Sequence, residues 1–263
     1  MLMLTHTYIL QKILNRAGIK EYDSDIFVYN IVPDLLTFHP NINSRQTHKI
    51  RRILQVPPLY SKAAYIMFHL LVDDLAHYGF INSGIPDDFK PNPQGYTYIK
   101  GKPLIDSILN FQRKVNKEIS YDEAVYRSHL IVEMIYDLAI INHILDNKTI
   151  ELLADAVDFT ARERMDEFVS TVNWLYHLDK VEIQEVMKKA QSYMTYERMR
   201  KAMNMEGRIR LYAYKFGLHG DENFLYLSGI KNIFLHAKEL LDDSEVFIKD
   251  AAEAIKKYGW NAG

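Results

Sequence analysis

Apolar residues recur at intervals of three and four along nearly the whole chain, whereas the alternating Val/Ile/Thr patterns typical of strands are almost absent. This spacing predicts an all-α protein. A capping box, formed by Ser120 and Glu123, marks the start of one long helix. Helices are expected at about 5–17, 44–55, 60–79, 103–117, 120–146, 149–157, 159–177, 181–201, 203–216 and 223–257.

One stretch, from Asn82 to Lys102, breaks this periodicity, because its three prolines, three glycines and two aspartates disfavour a helix. We expect a loop there, of a length common in functional loops. No repeats or low-complexity tracts divide the chain, which favours a single helical domain over 1–263. The residues with evident chemistry lie within 1–140, so 141–263 is predicted to form a helical wall around a site.

Composition limits the class of protein, the substrates and the metal ligands that are possible for this chain. Hydrophobic residues make up 48% and charged residues 25% of the 263 residues, which is typical of globular proteins and excludes a disordered chain. A net charge of −2 excludes the strongly basic surface that drives nonspecific nucleic-acid binding, so a nucleic-acid substrate is possible but not favoured. The chain has 0 cysteines, so any metal must be held by imidazole and carboxylate groups.

The amino-terminal segment does not resemble a targeting signal. Its apolar run is short and is interrupted by Thr5 and His6. No run of apolar residues is long enough to span a bilayer. We therefore expect a cytoplasmic protein without a transmembrane segment, and the sequence does not indicate its oligomeric state.

The segment from Phe68 to Tyr78 carries the clearest chemical pattern. His69, Asp73 and His77 recur every four residues, which places them on one stripe of a helix with a rise of about 6 Å per step. That stripe is too long for the ligand shell of one ion. Two neighbouring ions that share Asp73 fit its length better.

Further metal ligands are available in the first half of the chain. His129 and Glu133 repeat the four-residue interval on a second helix, and His6, Asp34 and His48 precede the central stripe. Imidazole and carboxylate ligands suit zinc, with manganese or iron as competitors. Neighbouring ions of this kind activate water and clamp the oxygens of a phosphodiester, and Asp34 is a candidate general base.

Several other residues have candidate supporting roles. We interpret Asp74 as solvent-facing or as a carboxylate that supports a ligand, and Asp137 as a hydrogen-bonding partner near the ligands. The Arg51/Arg52 pair is interpreted as a solvated face. Candidates for a substrate-facing rim are Tyr96, Tyr98, Phe38 and His39.

Taken in order, these residues resemble the zinc-dependent phospholipases C and the related single-strand-specific nucleases. Their spacing is most similar to that of the phospholipase domain of glycosylphosphatidylinositol-specific phospholipase D. The resemblance covers about the first 135 residues and implies a multi-helix fold of the phospholipase C/nuclease type. The matched positions are His6, Asp34, His48, His69, Asp73, His77, His129 and Glu133.

The resemblance also implies how up to three zinc ions would be distributed. The first ion would take Asp34, His48, His69 and Asp73, the second His6 with Asp73 as a bridge, and the third His77, His129 and Glu133. Secreted members supply an amino-terminal tryptophan to the second ion. Here Met1 to Thr5 precede His6 and no tryptophan lies nearby, so binding of a second ion is left open.

These features predict a metal-dependent hydrolase of phosphate esters. A phospholipase C-like phosphodiesterase, acting on a small phosphodiester or a phospholipid with Asp34 and Asp73 as catalytic residues, is the preferred interpretation. A nuclease-like phosphodiesterase is the alternative within the same class. A non-catalytic helical module that stores or senses metal is the alternative from a different class.

Overall fold

The computed structural model describes residues 2–19, 21–86, 94–218 and 223–260, and over these ranges the protein is all-α, without a strand. Short 3-10 turns at Leu36–Phe38, Pro58–Tyr60 and Lys102–Leu104 join some of the helices. The α-helices are α1 (Met3–Arg16), α2 (Ile26–Leu35), α3 (Ser44–His48), α4 (Ala63–Tyr78), α5 (Tyr96–Gly101), α6 (Ile105–Lys114), α7 (Tyr121–Ala139), α8 (Ile141–Asp146), α9 (Thr149–Glu163), α10 (Met165–Tyr176), α11 (Lys180–Tyr193), α12 (Tyr196–Ala202), α13 (Met205–Lys215), α14 (Asn223–Glu239) and α15 (Ser244–Tyr258).

The predicted all-α class is confirmed, but several boundaries were wrong. The helix expected over 44–55 ends at His48, and the helices expected over 120–146, 181–201 and 223–257 are each divided in two. The helix expected from 120 does begin there, where the Ser120 side chain accepts a hydrogen bond from the backbone N–H of Glu123.

Helix α2 was missed altogether. Its sequence, IFVYNIVPDL, is apolar on all sides, so it shows no helical alternation between polar and apolar faces. Pro33, in the last turn, also favours a helix break. Nine of the ten residues of α2 are buried, which explains the uniform pattern: this helix lies inside the protein.

Helices α1, α2, α4 and α7 contribute much of the core. Buried apolar side chains from Leu4 to Trp260 form one continuous cluster. Helices α2, α4 and α7 are buried over most of their length, and α1 is buried over its first half. Among the described residues, no helix is both long enough and apolar enough to cross a membrane.

Helix α5 lies inside the stretch expected to be a loop, of which 87–93 fall outside the described residues. It packs between the end of α4 and the middle of α7. Thr97 donates a hydrogen bond to the carbonyl of Ala76 at 3.0 Å. A Cβ added at Gly95 would clash with the backbone of His77, and one added at Gly101 would crowd Ser128 and the backbone N of His129. These glycine contacts set how closely α4 and α7 approach through α5.

We expect Gly95→Ala to destabilise the protein. A Cβ at this position would lie 2.0 Å from the carbonyl oxygen of His77, so the backbone must shift. Overpacking of this kind costs about 2 kcal/mol in the free energy of unfolding, measurable by urea denaturation. Gly84→Ala is the matched control, because an added Cβ there meets no atom within 4 Å. Equal stabilities of the two variants would contradict this packing.

Candidate metal centre

All eight ligand candidates lie on helices that meet in the core or at its edge. His6 is on α1, Asp34 on the last turn of α2 and His48 at the end of α3. His69, Asp73 and His77 are on α4, and His129 and Glu133 are on α7. Among the described residues there are three groups in which the donor atoms all lie within 4.8 Å of one another: His6, His69 and Asp73; Asp34, His48 and His69; His77, His129 and Glu133.

Asp73 belongs to the first group and also lies close to His48 of the second. Its Oδ1 lies 3.2 Å from Nε2 of His6. Its Oδ2 lies 3.3 Å from Nε2 of His69 and 3.4 Å from Nε2 of His48. The two carboxylate oxygens therefore face different imidazoles, which is the arrangement that a bridging carboxylate requires.

Three separations among Asp34, His48, His69 and Asp73 match those between ligands of one zinc ion. Two ligand atoms bound about 2.0–2.1 Å from a tetrahedral zinc ion lie roughly 3.3 Å apart. The Nε2 atom of His48 lies 3.5 Å from Oδ1 of Asp34, close to that value. The Asp73 distances to His48 and His69 match it as well. The four side chains thus have the composition of a zinc site, and three of the separations among them match those of neighbouring ligands.

Backbone carbonyls orient two of these imidazoles. Nδ1 of His69 is 2.8 Å from the carbonyl oxygen of Asn30, and Nδ1 of His48 is 3.0 Å from that of Ser44. A carbonyl only accepts hydrogen bonds, so each Nδ1 carries the hydrogen and Nε2 faces the carboxylates. Nε2 of His69 is buried and makes no hydrogen bond to any residue that the structure describes, although Oδ2 of Asp73 lies 3.3 Å away. A cation would satisfy this nitrogen.

His69 belongs to two of the groups but can serve only one ion. Its Nδ1 is held by Asn30, so only Nε2 is available to a metal. If His69 completes the site with Asp34 and His48, the described residues leave His6 and Asp73 for a second ion. His6 stacks on His69 with the ring centroids 3.6 Å apart.

Charges in the cluster follow from burial and from the carboxylates. Burial, with His69 acting in the same direction, lowers the pKa of His6 to about 4, so this imidazole is neutral at pH 7. Burial also opposes a charge on His48, but hydrogen bonds and attraction from Asp34 and Asp73 raise its pKa to about 10. Burial would raise the pKa of Asp73, but the neighbouring histidines hold it well below its ordinary value.

The third group joins α4 to α7. Nε2 of His77 is 2.6 Å from Oε1 of Glu133, which is a hydrogen-bond distance rather than the separation of two zinc ligands. The rings of His77 and His129 are 5.7 Å apart and nearly perpendicular. Burial lowers the pKa of His129 to about 3, and the charges of His77 and Lys215 act in the same direction. A metal ion here would replace the His77–Glu133 hydrogen bond.

A cavity of about 340 Å³ opens beside the groups. Six of the eight predicted ligands line it, while His6 and His69 lie behind them in the core. The six are Asp34, His48, Asp73, His77, His129 and Glu133. The proposed metal ligands therefore border a space large enough for a small substrate.

An ion pair between Arg52 and Asp74 supports the cluster. Nε and Nη2 of Arg52 donate to the two oxygens of Asp74 at 3.1 and 2.6 Å. Nη1 also donates to the carbonyls of His48 and Ile50 at 2.9 and 2.7 Å. The interpretation of Arg52 as part of a solvated face was wrong, because Arg52 is buried and ties the end of α3 to α4.

Among the described residues, Asp137 makes its hydrogen bonds to Thr5 and Arg208 and not to a ligand candidate. It accepts a hydrogen bond from Thr5 at 2.5 Å and pairs with Arg208 at 2.6 Å. Thr5 precedes His6, so this contact fixes the start of α1 against α7. Arg208 is on α13, so the carboxyl-terminal part of the chain also supports the site.

The predicted substrate-facing rim was wrong, because none of its four residues lines the cavity. Tyr96 stacks on Phe247 of α15 and donates a hydrogen bond to Asp243. Its side chain therefore packs against α15 and not against the cavity. Tyr98 is buried beside His129. His39 lies near Glu182 and Glu185, and Phe38 packs against the core.

Other residues that line the cavity were missed. Arg45 and Lys49 come from α3 and its C-terminal boundary, Tyr78 ends α4, Tyr126 is on α7 and Lys215 ends α13. Arg45 and Lys49 stand three residues before and one residue after His48, and that spacing was an available signal. Lys215 is far from the ligands in sequence, and no motif marks it.

Comparison with protein-family models, curated proteins and solved structures gives no significant match. The functional interpretation therefore rests on the side chains and the cavity.

We expect Arg52→Ala to lower the free energy of unfolding by about 3 kcal/mol or more, because it leaves the buried Asp74 carboxylate without its cation. Urea denaturation measures this loss. Arg51→Ala is the matched control, since Arg51 is exposed, and it should change stability by less than about 0.5 kcal/mol. A loss for Arg52→Ala as small as that of the control would refute a supporting role for the ion pair.

Proposed function

We propose that this protein is a zinc-dependent hydrolase of phosphate esters, with a phospholipase C-like phosphodiesterase activity and a fold of that type. The observation that carries the proposal is the convergence of the eight predicted ligands into three groups, with six of the eight lining one cavity. Asp73 faces three imidazoles through both of its oxygens. Manganese or iron could occupy the same donors, but tetrahedral spacing favours zinc.

In this proposal most of the eight side chains bind the ions, and one carboxylate accepts a proton. Bound zinc ions would polarise the phosphoryl oxygens and acidify an attacking water. Asp34 is the carboxylate best placed to accept that proton, because 25% of its side chain is exposed against 6% for Asp73. Burial opposes ionisation of Asp34, but His48 and His69 lower its pKa, so it remains a carboxylate at neutral pH.

The cavity favours catalysis over metal storage. A catalytic metal site keeps a position open for water or substrate, whereas a structural site is closed by protein ligands. Here the ligands border a space of about 340 Å³. Of the supporting residues, Arg52 lies in the cavity wall, where it pairs with Asp74, and Asp137 lies outside it.

The proposal predicts zinc-dependent turnover of a chromogenic phosphodiester. Purified protein loaded with zinc should hydrolyse ethyl p-nitrophenyl phosphate. Chelation should abolish the activity and zinc should restore it, with bound zinc followed by elemental analysis. Undiminished turnover after complete removal of metal would overturn the mechanism.

Asp73→Asn tests the bridging carboxylate. Loss of a residue that merely orients a ligand costs 10–100-fold, so loss of a ligand should lower kcat/KM by about 100-fold or more and reduce bound zinc. Asp146→Asn is the matched control, because Asp146 is exposed at the end of α8 and does not line the cavity. Unchanged zinc stoichiometry in Asp73→Asn would rule out a bridging role.

A further inference from the structure

A second ion at His6 and Asp73 would be short of protein ligands. Nε2 of His6 lies 3.2 Å from Oδ1 of Asp73, close to the separation of two neighbouring zinc ligands. Among the described histidines and acids, His69 is the third member of this group, but its one available nitrogen is assigned to the first ion. Zinc sites in proteins usually have at least three protein ligands. The second ion therefore needs at least one further donor.

Asn30 has a buried side-chain amide to which the fold gives no partner. The residue lies in the middle of α2 and is 0% exposed. Its Oδ1 and Nδ2 are both buried, and neither makes a hydrogen bond to any residue that the structure describes. Burying an amide without a hydrogen bond is costly, and such groups in native proteins normally contact a protein group, an ordered water or an ion. The Asn30 amide therefore points to a ligand.

The backbone of α2 places Asn30 beside the imidazoles. Its carbonyl oxygen lies 2.8 Å from Nδ1 of His69, and the ring of His6 stacks on that of His69 with the centroids 3.6 Å apart. Asn30 also precedes Asp34 by four residues, so the two side chains share one face of the helix. Asp34 lies 3.5 Å from His48, which shows that this face of α2 is directed toward the cluster.

Further buried polar atoms next to Asn30 make no hydrogen bond to the described residues. Both ring nitrogens of His6 are in this condition, although Oδ1 of Asp73 lies 3.2 Å from Nε2. By contrast, Nδ1 of His69 and Nδ1 of His48 each face a backbone carbonyl. A cation bound by one nitrogen of His6 and by the oxygen of Asn30 would satisfy two of the unpaired groups at once.

We propose that the amide oxygen of Asn30 is a ligand of the second ion, together with His6 and Asp73. The inference rests on the proposed function, because it assumes that the cluster binds metal. The second site would then consist of one imidazole, one shared carboxylate and one neutral amide oxygen. Carbonyl oxygens suit magnesium and manganese better than zinc. The second site is therefore the weakest of the three for zinc.

Zinc binding by the full chain tests the proposal without relying on turnover. Equilibrium dialysis against buffered free zinc gives the number of bound ions and the affinity of each. The wild type should bind three ions, the third more weakly than the other two. Asn30→Leu removes the donor atoms at similar side-chain size. It should lower the affinity for the third ion by about 100-fold or more and leave the other two affinities unchanged.

Two further variants separate loss of a ligand from damage to the fold. Asn30→Asp keeps an oxygen donor and adds a negative charge, so it should bind the third ion at least as tightly as the wild type. Asn232→Leu is the matched control, because Asn232 is exposed on α14 and does not line the cavity. It should bind three ions with wild-type affinities. Loss of the third ion from Asn30→Asp, or from the control, would overturn the assignment.

The outcomes also separate this inference from the proposed function. If the zinc-loaded protein hydrolyses ethyl p-nitrophenyl phosphate but the wild type binds only two ions, the inference alone is overturned. Three ions of wild-type affinity in Asn30→Leu overturn it as well, and this is the result expected if the amide only contacts an ordered water. If the wild type binds no zinc, the proposed function fails and the inference fails with it.

Discussion

The architecture depends on a buried carboxylate surrounded by imidazoles. Asp73 lies on a core helix and is 6% exposed, yet it faces His6, His48 and His69 at 3.2–3.4 Å. Burying a charge is costly unless it is paired or bound to a metal. The helices that bring these groups together therefore have to offset that cost. Metal binding would link the free energy of the cluster directly to folding.

Supporting contacts determine how well the cluster is held. Arg52 connects the end of α3 to α4, and Asp137 connects α1, α7 and α13 through Thr5 and Arg208. Helix α5 fits between α4 and α7 because glycines allow close backbone contact. Helices α1, α3, α4 and α7 are thus each fixed by at least one contact outside the ligand groups, which is how a metal site acquires defined geometry.

Local periodicity predicted the parts of this arrangement that a single helix determines. Residues four apart share a helix face, so the stripe from His69 to His77 and the pair of His129 and Glu133 could be recognised directly. Helix α2 could not, because a helix buried on every side lacks the polar face on which periodicity depends. Because α2 was not predicted, the sequence did not show that Asp34 lies in the last turn of a core helix.

Contacts between segments that are distant in sequence also could not be predicted from the sequence. Arg52 appears as one of two adjacent arginines, and only the tertiary structure distinguishes the buried one from its exposed neighbour. Tyr96 is drawn toward α15 by Phe247, and Lys215 reaches the cavity from α13. Such placements depend on how helices pack, and spacing along the chain carries little information about them.

An anomalous difference map from crystals of the zinc-loaded protein, recorded just above the zinc absorption edge, tests the central claim most directly. The account predicts one peak among Asp34, His48, His69 and Asp73 and another among His77, His129 and Glu133. Absence of a peak from both groups, or zinc bound only at surface histidines, would contradict it.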